Sequence, residues 1–162
     1  MERRTPKKRN KRSDSATAAV QAAQNAALGP HDPPSHIEFP EEARPYWLAI
    51  MRNRPRDRWN DLDLANAAEL AMLHNDMARL RRCILLDGDV LEGGKANPAH
   101  NLLDKAGRRA IALARMLHVH PEATEGRSQD ASKALKIERA AAADLDDLPP
   151  DIARLIPRVA SR

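Results

Sequence analysis

A chain of 162 residues with 12 prolines and a mean hydropathy of −0.64 has room for one modest domain plus unpacked tails. Its aromatic side chains, Phe39, Tyr46, Trp47 and Trp59, cannot carry a core alone, so Ala, Leu, Ile and Met must, which favours close helix packing over a sheet sandwich. The single cysteine, Cys83, excludes an internal disulfide, no apolar run approaches the roughly 20 residues of a membrane span, and no charged-then-apolar signal peptide opens the chain. A protein of a reducing compartment with no membrane partner is expected.

The net charge of +4 is unevenly spread. Residues 1–13 hold seven basic side chains (Arg3, Arg4, Lys7, Lys8, Arg9, Lys11 and Arg12) and one Glu, a local +6 that leaves −2 for the remainder. Such a run has no apolar periodicity and should be disordered. It can neutralise phosphates by counterion release without reading base sequence, so nucleic acid is the expected partner over a merely solubilising terminus. Ala16 to Gly29 then has high helix propensity and almost nothing large to bury, and Pro30 to Pro40 reads as an extended linker.

The folded region is expected from residue 39. A helix over Glu41 to Met51 would bury Trp47, Leu48 and Met51, with Pro45 either kinking it or marking its true start. Between it and the next helix lie Arg52, Arg54, Arg56 and Arg58, offset by Asp57, a second candidate phosphate-contacting patch or a solvated loop. Asp61 offers a cap, and residues 62–86 lack Pro and Gly, so a long helix follows in which Leu70, Leu73, Met77, Leu80 and Ile84 make one seam. Gly88, Gly93 and Gly94 supply turn chemistry for a reversal, with a small hairpin around Val90 and Leu91. Asn97 caps the next helix, Pro98 occupies its first turn, and Leu103, Ala106, Ala110, Leu113 and Leu117 repeat the same heptad pattern.

The spacing therefore predicts an all-α protein: an antiparallel hairpin of long helices between flexible N- and C-terminal tails. Apolar side chains lie off the seam, at Met72 and Leu86 on the first helix and Leu102, Ile111 and Met116 on the second. A core this thin calls for neighbouring subunits, so a homo-oligomer is expected. The domain reading is a tail over 1–38, a helical core and oligomerisation domain over 39–127, and a C-terminal segment over 128–162. That last segment contains an Ala-rich helix candidate from Asp130 to Leu145 and a terminal apolar face, Ile152, Leu155, Ile156 and Val159, that either docks on a partner or folds back on the chain's own assembly.

Catalysis finds little support. His118 and His120 with His100 resemble a zinc set, but a His-x-His pair splays its side chains by about 200° if helical and no Cys joins them at ligand spacing. No Walker-type loop is present, and Cys83 has no activating neighbour in the pattern, so no enzyme, metal or cofactor is expected.

The order of landmarks carries more. A Pro-rich entry, FPEEARPYW, the long helix text DLDLANAAELAMLHNDMARLRRC, a Gly-bearing connection and ANPAHNLLDKAGRRAIALARMLHVHPEA together resemble the small terminase subunits of tailed bacteriophages. The resemblance runs from Phe39 to Arg127 and rests most on Trp47, Asp63, Gly88, Asn97, Pro98, Leu117 and Pro121. It departs at His118, where the family pattern has Gly, and at the Arg expected after Pro121, which is displaced to Arg127 or missing. The resemblance implies a non-catalytic viral DNA-recognition subunit of a genome-packaging terminase in the host cell cytoplasm. It implies a homo-oligomeric ring of roughly eight to ten subunits that delivers double-stranded viral DNA to the large ATPase and nuclease subunit. The reading from another class is a helical DNA-binding regulator or nucleoid-type dimer, which would use the same basic tail.

Overall fold

The structure, a computed structural model, describes residues 16–120 and 129–147. In chain order these form α1 (Ala16–Leu28), a 3-10 turn (Glu41–Ala43), α2 (Arg44–Met51), a second 3-10 turn (Arg56–Arg58), α3 (Asp61–Asp87), β1 (Val90–Leu91), β2 (Lys95–Ala96), α4 (Ala99–Met116) and α5 (Gln129–Asp146). The described chain is thus mainly helical, with one small antiparallel ribbon that pairs Val90 with Ala96 and Leu91 with Lys95.

Of the two roles open to Pro45, the structure has it mark the true start of α2. Pro45 sits in its first turn, where the missing N–H costs nothing, and Glu41–Ala43 is a separate 3-10 turn. The helix buries Trp47, Ile50 and Met51, while Leu48 is half-buried against the same cluster. The indole Nε1 of Trp47 donates to the His31 carbonyl at 2.7 Å and Phe39 meets its ring edge-on at 5.8 Å. The Pro-rich entry is therefore tied to the core.

α3 is capped one residue earlier than expected. Asn60, not Asp61, accepts the Asp63 N–H at 2.8 Å, and Asp61 and Asp63 then lie at the positive end of the helix dipole. Asparagine wins because the cap must be extended, outside the helix, and Asp61 is already in it. At the other end Gly88 adopts φ +81, a conformation costly for a side chain, and donates to the Ile84 carbonyl.

Asn97 does more than start α4. Its Oδ1 accepts the Ala99 N–H at 3.0 Å, its Nδ2 donates to the Gly88 carbonyl at 2.9 Å, and its main-chain N–H donates to the Asp89 carbonyl at 2.9 Å. One buried side chain thus fastens the end of α3 to the start of α4. Contacts continue from this point through Arg109–Glu69 at 2.9 Å to the region where Arg54 joins Asp63 and Leu117, so α4 returns along α3.

Between the two helices Leu70, Met77, Ala110 and Leu117 are buried, and Leu73, Leu80, Ile84, Leu103, Ala106 and Leu113 are half-buried. Leu70, Met77, Ala110 and Leu117 join Trp47, Ile50, Met51 and Trp59 in the main apolar cluster, with Leu103, Ala106 and Leu113 packed against it, whereas Leu73, Leu80 and Ile84 of the expected seam lie outside it. Each large side chain removed from water there contributes about 1.5–3 kcal/mol before entropy is charged against it.

α4 closes in a left-handed turn at His118, the position where the family pattern has Gly. His118 takes φ +54, the left-handed conformation usually filled by glycine, while Val119 N–H donates to Ala114 and His118 N–H to Arg115. This is the Schellman arrangement, with Val119 packed on the core as its apolar contact. The expected departure from the family pattern at His118 changes the residue and leaves the left-handed turn in place.

The N-terminal part of the sequence also differs from the expected 1–38 tail. Ala16–Leu28 is a helix, and it packs against α5, so two Ala-rich segments from opposite ends of the chain cover one another. Neither has enough large side chains to be stable alone.

Candidate nucleic-acid interface

The basic residues Arg3 to Arg12 lie outside the described residues, as do Pro121, Arg127 and the terminal face of Ile152, Leu155, Ile156 and Val159. The second basic patch, residues 52–58, is described in full, and it separates into two pairs.

Arg54 and Arg56 are bound into the fold. The half-buried Arg54 guanidinium donates to the Leu117 carbonyl at 3.0 Å, to the Asp63 carboxylate at 3.1 Å and to the Arg58 carbonyl, and it lies 4.5 Å from the centroid of the Trp59 ring. It therefore pins the start of α3 to the end of α4, where a cation also meets the negative end of a helix. Arg56 donates from its side chain to the Gly29 carbonyl, and its own carbonyl lies 3.1 Å from His31 Nε2.

Arg52 and Arg58 are exposed. The Arg52 carbonyl accepts from Arg139 of α5 at 2.7 Å, which brings a further exposed guanidinium, distant in sequence, to the same turn. α4 adds exposed Lys105, Arg108, Arg109 and Arg115, of which Arg108 pairs with Asp104 at 2.6 Å along its own helix and Arg109 bridges to Glu69 of α3.

The turn also carries acid. Glu138 of α5 accepts the Arg56 main-chain N–H at 3.2 Å, and its Oε2 accepts from Asn25 of α1 at 3.2 Å. The same Asn25 amide lies 3.4 Å from Asp57. Burial pushes the Glu138 carboxyl above its ordinary range, against the hydrogen bonds from Arg56 and Asn25, with Asp57 adding to the rise. Sequence reasoning missed Glu138, Asn25 and Arg139. The one local signal was Asn25 itself, a short polar side chain buried within an alanine run.

Among the described residues no group of three His, Cys, Asp or Glu side chains is placed to hold a metal, and no helix is long and apolar enough to cross a membrane. His100 instead meets Asp89 at 3.0 Å across the α3–α4 connection, and Cys83 is half-buried.

The described residues thus form a helical body with a basic turn at 52–58. Comparison with known proteins gives its family. The model of the Hendrixvirinae small terminase family matches residues 5–160, and the chain belongs to that family. It is also similar to the terminase small subunit of Enterobacteria phage HK97, with 35% identity over 129 residues that cover 75% of this chain and 78% of that protein.

Proposed function

We propose that this chain is the non-catalytic DNA-recognition subunit of a phage genome-packaging terminase. It acts as a homo-oligomeric ring that binds double-stranded viral DNA and delivers it to the large ATPase and nuclease subunit in the host cytoplasm. Family membership across nearly the whole chain is the observation that carries this reading.

Two further features support it. The α3–α4 pair leaves Leu62, Leu85 and Leu86 of α3 and Leu102, Ile111 and Met116 of α4 open to solvent, with Leu85 and Leu86 84% and 82% exposed. Apolar surface of this kind is suited to burial between subunits. α3 holds five acidic and three basic side chains, a net −2, whereas α4 holds one acidic and four basic, a net +3. Unlike charges on the two helices suit a head-to-tail contact, α4 of one copy beside α3 of the next, and such contacts close into a ring when the rotation between copies completes a circle.

Within a ring, each weak electrostatic contact raises the effective concentration of the others, so avidity supplies the affinity. Arg52 and Arg58, the basic residues of the first 13 positions and α4 are the proposed phosphate contacts. The segment from Ile152 to Val159 is the proposed docking element for the large subunit. The test compares duplex binding by the full chain and by a chain lacking residues 2–13 across a range of salt. The slope of log affinity against log salt should become shallower by about 0.9 for each phosphate that the shortened chain no longer neutralises. No duplex binding by the full chain even at low salt refutes the proposal.

A further inference from the structure

The α1–α5 pair is set apart from the rest of the molecule by how it is attached. The main apolar cluster draws its described residues from α2, α3, α4 and the segments beside them, and takes none from α1 or α5. Among the described residues, the buried side chains of the pair are Ala22, Asn25 and Leu135, none of which belongs to that cluster. Hydrogen bonds from the pair to the body converge on the arginine turn. Glu138 holds the Arg56 main-chain N–H, Arg139 holds the Arg52 carbonyl, Asn25 reaches Asp57, and Arg56 reaches back to Gly29 just beyond α1.

We propose that α1 and α5 form a detachable clasp on the arginine turn: closed, it holds a carboxylate where a polyanion would approach, and its release opens the turn to nucleic-acid phosphates. The inference rests on the reading of the chain as a DNA-binding subunit and adds a control over one of its contact surfaces.

Three considerations support it. An element joined to a core by hydrogen bonds and little apolar area opens at far lower cost than the core itself, so a pair of Ala-rich helices is the low-stability part of this fold. With the clasp closed, Glu138 and Asp57 bring two carboxyl groups to a turn whose arginines would otherwise face a phosphate unopposed. The Arg56 side chain is also drawn toward Gly29, away from any ligand. Departure of α5 removes Glu138, frees the Arg56 amide and releases the restraint on Arg52. The phosphate and the Glu138 carboxylate thus compete for one turn, and the basic N-terminal run is joined directly to the helix that moves.

The test uses the full chain as wild type, Glu138→Ala and Glu138→Gln, with two readouts. Amide hydrogen exchange is measured without DNA over 16–28, 52–58, 129–146 and, as a control, 64–84. Duplex affinity is measured at one fixed salt concentration. Glu138→Ala leaves the Arg56 N–H and the Asn25 amide without their acceptor, so α1, α5 and the Arg56 amide should exchange faster while 64–84 stays as in wild type. Duplex affinity should rise several-fold. Glu138→Gln removes the charge but keeps an oxygen for the Arg56 N–H, so it should leave α1 and α5 closer to wild-type exchange than Glu138→Ala does and raise duplex affinity by less. Unchanged exchange of α1 and α5 in Glu138→Ala overturns the clasp. Faster exchange with unchanged or weaker duplex binding overturns its control of the turn. A wild-type chain that binds no duplex overturns both the DNA reading and the polyanion half of the proposal, and the exchange data then decide the clasp by themselves.

Discussion

The α3–α4 body and the α1–α5 pair are both helix on helix, yet different forces hold them. The body buries Leu70, Met77 and Leu117 with two tryptophans, and its ends are fixed by Asn60, Asn97 and the left-handed turn at His118. The pair buries Ala22 and Leu135 and joins its two helices through a polar contact, Asn25 with Glu138. Large apolar side chains make a region cooperative, whereas small ones with a buried carboxyl make it conditional on partners and on pH. The molecule therefore has one part built to persist and one built to yield.

The sharpest way to break this contrast is a matched pair of truncations. Leu70→Ala should cost about 2–5 kcal/mol and lower the melting temperature of the whole chain, because a cavity forms in the shared core. Leu135→Ala should leave the main thermal transition in place and remove exchange protection from α1 and α5 alone. A single melting transition shifted equally by both substitutions would show that the two regions are one cooperative unit.

The arginine turn provides a second contrast, of smaller size. Arg54→Ala removes hydrogen bonds to Leu117 and Asp63 and a stacked cation from Trp59, and should destabilise the body by about 2 kcal/mol in chemical denaturation. Arg52→Ala, at an exposed site, should change stability by less than about 0.5 kcal/mol and weaken duplex binding. If the two arginines proved interchangeable in both assays, the division of the patch into structural and contacting members would be wrong.

Acidification should move the two regions in opposite directions. His74, stacked on Tyr46 at 5.8 Å, is held below its ordinary value by burial and then by Arg81. The stability it contributes is complete above the ordinary histidine value and is lost as pH falls toward the lowered one. Glu138 is raised by burial. Arg56 and Asp57 face it from the turn, α1 offers no charged side chain, and on its own helix Arg139 is directed to the Arg52 carbonyl. Its contribution is complete below the ordinary carboxylate value and is lost as pH rises through the raised one. Exchange rates corrected for intrinsic pH dependence should show α1 and α5 better protected in mild acid, and the Tyr46–His74 contact less so. Glu138→Gln should abolish the first trend and leave the second.

The smallest effects concern backbone strain. His118→Gly relieves a left-handed residue and should stabilise the body by about 1 kcal/mol. Gly107→Ala places a Cβ where nothing lies within 4 Å and should stabilise α4 by about 0.5–1 kcal/mol in dilute, dissociated protein. A failure to assemble on the same substitution would place Gly107 within a close subunit contact.

Legibility follows the same division. The long helices could be read because burial repeats at the helical period: Leu70 and Met77 on one side, Ala110 and Leu117 on the other, bounded by Gly88 and Asn97. The basic patch at 52–58 was visible as charge, but charge alone does not say that Arg54 turns inward to Trp59 while Arg52 faces solvent. The distinction needs Leu117, 63 residues further along the chain. The bond between Asn25 and Glu138 joins positions 113 apart, and no local periodicity encodes such a pairing. An alanine run gives helix propensity without a direction in which to bury. Likewise His118 reads as an ordinary polar residue until Val119 and Ala114 close the turn around it.

On the proposed function, the persistent α3–α4 body is the part that assembles. Native mass spectrometry of the full chain, at 18.0 kDa per subunit, tests it most directly. A single closed species of several subunits, roughly eight to ten, is predicted, one that survives Glu138→Ala because the clasp lies outside the proposed contact. A stable dimer would contradict the account and favour a helical DNA-binding regulator in its place.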